Sequence, residues 1–303
     1  MSSRAVFVLV VGMLLSFSVS GCRTSSPAVD FEIRLSGSLL ANDDARAERV
    51  LRAYLELSNA RTAMRGSARV ALEGPDFKLN RPQRILVERP ARLRFEIVGL
   101  FDQIAAMLAV KGGEFGFFDA STGQVTYGRV TSSLLWDLAK IDLEIPEVVE
   151  LLLGVPQPSP GLSRASNWLE VDGRIVLVFA WTDRERPAVC TDAGDLKFFD
   201  PDCFVSTDTL ALGGELFYFD VAGRLVELSS LDSGGVIRYR VTFEDYQAVA
   251  NGDSNFEFPN RTTIHSPGAS SVARFDWKRV MFAEQLSDRF FEIRRRDEST
   301  RGG

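Results

Sequence analysis

The sequence predicts an α+β fold: a strongly curved antiparallel sheet, or incomplete β-barrel, with helices covering its concave face. Three observations carry this. One amphipathic helix precedes a long series of segments with period-two alternation. Two short Leu-rich helical segments interrupt that series. Several of the alternating segments are apolar on both faces. So many strands do not make one flat sheet, and two-faced apolar strands need cover on each side. With 45% of the 303 residues hydrophobic and 25% charged, the chain has the apolar mass for such a core.

Taken in order, Arg4 gives a positive start and Ala5 to Leu15 an almost unbroken apolar run. That run is shorter than the about 20 residues a bilayer span needs, so residues 1–21 read as a signal peptide. Residues 22–42, weakly periodic and rich in small residues, read as a tether. Asp43 to about Arg61 is an amphipathic helix. Asn42 or Asp43 can cap it, Asp43, Asp44 and Glu48 suit its positive end, and Val50, Leu51, Tyr54, Leu55 and Leu57–Ser58 form its buried stripe.

From Gly66 the period becomes two. Leu93, Phe95 and Ile97 alternate with Arg92, Arg94 and Glu96, which needs one dry and one wet face. Ile104 to Val110 is apolar on both faces. Lys111-Gly112-Gly113-Glu114 is a tight hairpin, Glu114 to Phe118 returns, and Thr122-Gly123 turns into Gln124–Val130. Ser132 to Lys140 is a helix, and a second is opened by Pro146 and ended by Gly154. Strands resume at Asn167–Val171 and Ile175–Trp181. Leu216–Val221 and Arg224–Leu228 form a hairpin, and Ile237–Phe243, Thr262–His265, Val272–Phe282 and Phe290–Ile293 follow. One domain thus spans 43–293, and 294–303 is a charged, disordered tail.

The residue inventory removes much chemistry. A formal charge of −6, with no run of Lys/Arg that forms a nucleic-acid footprint, argues against nucleic acid. The single histidine, His265, excludes multi-His metal sites, and three cysteines exclude a Cys₄ zinc site. No Gly-x-Ser-x-Gly, P-loop or dinucleotide fingerprint is present. The chain therefore reads as a non-enzyme with no cofactor and no metal. Cys190 and Cys203 read as one disulfide closing a surface loop in an exported protein, with two free thiols as the alternative. Asp192, Asp195, Asp200 and Asp202 in that loop fit no EF-hand spacing and read as a solvated acidic loop rather than a calcium site.

Val19-Ser20-Gly21-Cys22 resembles a bacterial lipobox. The resemblance implies cleavage before Cys22 and acylation of that residue, and Arg23 in place of Asp implies sorting to the outer membrane. A second resemblance covers about residues 47–293. It is carried by Arg65-Gly66-Ser67-Ala68-Arg69-Val70, Glu88-Arg89-Pro90-Ala91-Arg92-Leu93-Arg94-Phe95, Gly99-Leu100-Phe101, Leu151-Leu152-Leu153-Gly154, Phe258-Pro259-Asn260 and Leu286–Ile293. In this order they are similar to the LolA and LolB family of periplasmic lipoprotein carriers and outer-membrane lipoprotein receptors. The loop around Cys190 and Cys203 departs from the receptor pattern.

That family implies an incomplete barrel with a helical lid over an apolar cavity that binds lipoprotein acyl chains. On this chain the candidates for its lining are Phe95, Ile97, Met107, Leu108, Phe117, Ile175, Leu177, Phe179, Phe217 and Phe219. The resemblance also implies a membrane-insertion role for the apolar turn of Leu100 and Phe101. The implied partners are the bilayer through acylated Cys22, lipoprotein acyl chains and a periplasmic lipoprotein carrier. A structural lipoprotein of an envelope assembly, using the fold as an interaction module, is the alternative.

Overall fold

The computed structural model describes residues 33, 35–181, 213–251 and 254–293. Cys22, Cys190, Cys203, the four loop aspartates, the signal peptide and the tail lie outside the described residues.

Fourteen strands make one sheet: β1 (Ser38–Leu40), β2 (Ala63–Glu73), β3 (Lys78–Glu88), β4 (Arg92–Val98), β5 (Ile104–Lys111), β6 (Glu114–Asp119), β7 (Gln124–Arg129), β8 (Leu162–Leu169), β9 (Ile175–Trp181), β10 (Gly214–Phe219), β11 (Leu225–Leu231), β12 (Ile237–Asn251), β13 (Ser254–Ser266) and β14 (Ser271–Ala283). The order is β1-β8-β9-β10-β11-β12-β13-β14-β2-β3-β4-β5-β6-β7. It is two antiparallel meanders, β8–β14 and β2–β7, zipped together along β14 and β2. β1 and β7 are the two edges and do not pair, so the sheet is open, as the sequence predicts.

The hairpins follow from turn chemistry. Gly112 and Gly113 join β5 to β6 with φ of 61° and 77°. Two successive positive φ values define the turn whose twist suits a two-residue hairpin.

Among the described residues, three helices lie against this sheet: α1 (Ala45–Ala60), α2 (Leu134–Ala139) and α3 (Ile145–Leu152). α2 and α3 connect edge strand β7 to β8 at the other end of the sheet, so topology makes the chain cross its whole width. Asp44 caps α1, its carboxylate accepting from the Arg46 N–H at 2.9 Å. The cap thus falls just after the two residues expected. Tyr54 turns inward and packs edge-on against Phe217 and Phe219, with ring centres 6.1 Å and 5.0 Å away. Its hydroxyl donates to the Pro156 carbonyl at 2.5 Å.

α3 starts with Pro146 in its first turn and a reciprocal cap between Glu144 and Glu147. It ends at Gly154, whose φ is 72°. A Cβ there would come within 3.1 Å of both Phe258 and Pro259.

Two expectations are corrected. The stretch 22–42 is not a tether throughout: Ser38–Leu40 pairs with β8, Ser38 opposite Leu169, and Ile33 and Leu35 are buried. Its apolar residues find the otherwise open edge of β8. Phe290–Ile293 is not a strand. Asp288–Phe291 forms a 3₁₀ turn, and Phe291 is buried with Ala63 and Leu286. Arg92 holds this turn in place, with its guanidinium 2.6 Å from Asp288 and 4.3 Å from the Phe291 ring centre.

Candidate functional site: an apolar cavity under a helical lid

The covered face of the sheet divides into two unlike halves. Over β9–β11 it is filled. Leu177 and Phe219 are fully buried, Phe179 packs edge-on to Phe217 at 5.3 Å, and Tyr54 closes over them. Over β2–β6 it is hollow. A cavity of about 270 Å³ is walled by Val70 and Leu72 of β2, Leu79 and Gln83 of β3, Phe95 and Ile97 of β4, Ala106, Met107 and Leu108 of β5, and Phe117 of β6. Ile264 and Phe275 add the far wall, and Leu135, Leu138, Ile141, Leu143 and Val148 from α2, α3 and their connection form the roof. Gln83 is the one polar residue in this lining. Ligand pockets share this character: mostly apolar walls with few polar groups to fix orientation.

Of the ten residues expected to line a cavity, Phe95, Ile97, Met107, Leu108 and Phe117 do so. Ile175, Leu177, Phe179, Phe217 and Phe219 are not in the lining of this cavity; they are buried in the core, where Tyr54 of α1 packs on Phe217 and Phe219. The physical reason is Tyr54 of α1, whose ring fills the space above Phe217 and Phe219.

The two parts of the roof are held unequally. α3 is tied down on both sides. Arg89, just past β3, grips Glu150 with two hydrogen bonds of 2.6 Å and also donates to the Ser58 carbonyl at 2.5 Å. Arg238 reaches Glu147 at 3.0 Å. α2 is pinned at its C-terminal end, where the Ser271 hydroxyl donates to the Lys140 carbonyl at 2.6 Å. Its Leu138 lines the cavity and is still 47% exposed, so the roof is thinnest there.

Below α3, Arg61 is buried and faces no carboxylate among the described residues. Its guanidinium lies 5.5, 5.8 and 5.0 Å from the ring centres of Phe256, Phe258 and Phe282, and it donates to the Leu153 and Glu257 carbonyls. Burial pulls its pKa down to about 10.

The turn between β4 and β5 places Phe101 in water. Its side chain is 91% exposed, the most of any large apolar residue described. The Gly99 N–H to Gln103 carbonyl bond of 2.8 Å closes the turn. Phe101 and Asp102 both have positive φ, 57° and 63°. That region disfavours residues with a Cβ by about 1–2 kcal/mol each. The fold thus holds a phenylalanine in a costly conformation in order to display it. Leu100 belongs to the same 3₁₀ turn, and its side chain lies outside the described residues. His265 sits far from this, opposite Arg240 in mid-sheet, with its pKa lowered by burial and by that arginine.

Sequence reasoning missed the β2, β3, β13 and β14 contributions to the cavity, although Val70, Leu72 and Phe275 sit in readable period-two runs. It also missed the roles of Arg61 and Arg89, which depend on helix positions that no local pattern reveals.

No protein-family model and no curated protein matches the sequence. Among solved structures, the chain is similar to a domain from Vibrio parahaemolyticus assigned to outer membrane lipoprotein sorting. The identity is 11% and the TM-score 0.49, over 80% of this chain and 94% of that one. It is also similar to a LolA superfamily protein from Nitrosomonas europaea (13% identity, TM-score 0.47, 80% and 97% covered). A DUF1329 family protein from Desulfovibrio piger gives 9% and 0.47, over 81% and 96%. These are likenesses of fold.

Proposed function

We propose that the chain is an outer-membrane lipoprotein, anchored through acylated Cys22, that takes acyl chains of other lipoproteins into its cavity and helps insert them into the outer membrane. It acts as a binding protein rather than an enzyme. The Cys190–Cys203 disulfide belongs to the same reading, since export brings the chain into an oxidising compartment.

The observation that supports it best is the hollow half of the sheet. A cavity of about 270 Å³ with one polar residue in its lining is suited to hydrocarbon. An engineered cavity of about 150 Å³ already takes up benzene. The hollow accepts a segment of one chain, and longer cargo requires α2 to move out, which its looser attachment allows. Exposed Phe101, with Leu100 beside it in sequence, supplies a tip that prefers the bilayer interface to water.

The test is binding of a fluorescent fatty acid with competition by a lipopeptide, followed by transfer of that lipopeptide to liposomes. The double substitution Leu100→Glu with Phe101→Glu is expected to leave binding intact and abolish transfer. Equal transfer by both proteins removes the insertion role. Absence of any acyl binding removes the cavity reading and favours the accessory-lipoprotein alternative.

A further inference from the structure

The opposite face of the same sheet carries a groove of about 760 Å³ that the acyl-chain reading leaves unused. Five arginines line it, Arg65, Arg84, Arg94, Arg279 and Arg289, against one carboxylate, Glu96. For a chain of net charge −6 this is a local reversal of sign.

Strand register builds the cluster. Arg279 on β14, Ser67 on β2, Arg84 on β3 and Glu96 on β4 form one row across four strands. Met281, Arg65, Leu86 and Arg94 form the next. Arg65 therefore lies diagonally between Arg279 and Arg84, within reach of long side chains.

A β-bulge creates the geometry. Phe275 and Trp277 are buried on the covered side, and strict alternation would send Arg279 inward as well. The register slips between Trp277 and Arg279, and Arg279 emerges on the open side. Gly66 makes room for the slip, since a Cβ there would stand 2.7 Å from the Arg279 carbonyl oxygen. Bulges that re-aim a side chain are characteristic of functional surfaces.

Glu96 neutralises only part of the charge. It accepts from Arg94 at 2.7 Å and lies 3.7 Å from Arg84, which also holds Asp102 at 2.5 Å. Among the described residues, no carboxylate lies within ion-pair range of Arg65, Arg279 or Arg289. Like charges on neighbouring positions of a sheet are unfavourable, so the unpaired set is a cost that a bound anion would relieve. The groove is not purely polar. Leu86, Met281 and Phe290 lie among the arginines, which suits a ligand with an anionic head and an apolar body. Through the Arg84–Asp102 pair, the groove is also continuous with the turn that displays Phe101.

We propose that this arginine groove is a binding site for the phosphate headgroup of an anionic phospholipid in a bilayer. Guanidinium forks match phosphate oxygens two at a time. The groove provides a second, charge-dependent contact with the membrane that does not rest on cargo occupying the cavity.

The experiment is flotation of the mature chain, residues 22–303, carrying Cys22→Ala, so that neither an acyl anchor nor the apolar signal segment contributes. The vesicles are phosphatidylcholine with or without phosphatidylglycerol. Binding is expected only with phosphatidylglycerol and should weaken as salt is raised. Arg65→Glu with Arg279→Glu is expected to weaken it about thirty-fold, while fatty-acid binding by the same variant stays unchanged. If that variant melts early, Arg65→Gln with Arg279→Gln replaces it, with the same direction expected. Equal binding to both vesicle types, or unchanged binding by the variants, overturns the proposal. Displacement of the vesicles by inorganic phosphate, where sodium chloride of equal ionic strength leaves them bound, assigns the site to the free ion and also overturns it. So does capture of a poly-glutamate peptide in place of vesicles, which would make the groove a peptide dock.

Discussion

Replacing Ala106 by Trp tests whether the hollow under the lid is the place where hydrocarbon goes. Ala106 is a half-buried residue on β5 whose methyl group faces the cavity. The cavity measures about 270 Å³. At roughly 30 Å³ per water-sized group, that is room for about nine methylenes. Each methylene withdrawn from water contributes about 0.8 kcal/mol, so a filled cavity contributes about 7 kcal/mol before the ordering cost of association is subtracted. An indole at position 106 occupies a large share of the space. Loss of room for only three methylenes removes about 2.4 kcal/mol, roughly fifty-fold in Kd. Titration with a fluorescent fatty acid reads this directly, and thermal unfolding supplies the control. Filling an existing void leaves stability unchanged or raises it, whereas forcing a ring into a packed core costs about 1–3 kcal/mol. Unchanged affinity in a normally stable variant refutes the assignment of the cavity. A large loss of stability refutes the existence of the void.

Phe101→Gly removes a side chain that is 91% exposed from a residue at φ 57°. Unfolding should show a gain of up to about 1 kcal/mol, because glycine tolerates that conformation, while lipopeptide transfer to liposomes falls; a fall in both would make Phe101 structural. Arg89→Ala leaves Glu150 without its two 2.6 Å partners, and denaturant unfolding should register a loss of about 3 kcal/mol; a loss within experimental error would mean that Arg89 does not hold α3. Glu215 is buried and its pKa is raised, chiefly by desolvation. The folded protein therefore keeps the proton above pH 4.5, where the unfolded chain has released it, and stability declines as pH rises through that window. Glu215→Gln should flatten this part of the melting-temperature profile, and parallel profiles would contradict the assignment. Asp44 has the opposite sign: its hydrogen bonds with Arg46 lower its pKa to about 2. Its contribution is thus present at neutral pH and fades toward pH 2, a slope that Asp44→Ala should reduce.

What could be read from the sequence was whatever depends on neighbours along the chain. Gly112 and Gly113 announce their hairpin because two positive φ values in succession require them. The alternation of Leu93, Phe95 and Ile97 correctly puts all three on one face, and two of them reach the cavity. The same signature in Ile175, Leu177 and Phe179 ends in a packed core, because Tyr54 descends on that half of the sheet and not on the other. Period two reports which side is dry and is silent about what fills it. The arginine groove depends on β14 pairing with β2, far apart in sequence, and on a bulge that reverses the parity of Arg279. Nothing local to either strand encodes that meeting. The apolar turn at Leu100 and Phe101 stands out in the sequence, but that Phe101 points into water is visible only in the folded turn.

The most direct measurement is photo-crosslinking with a lipopeptide that carries a diazirine on its acyl chain, mapped by mass spectrometry. Labels are expected on Phe95, Met107, Phe117 and Leu138, the walls and roof of the hollow half, and to be lost in Ala106→Trp. Labels confined to the outer face of the sheet, or to β9 and β10, would contradict an acyl-binding cavity in this protein.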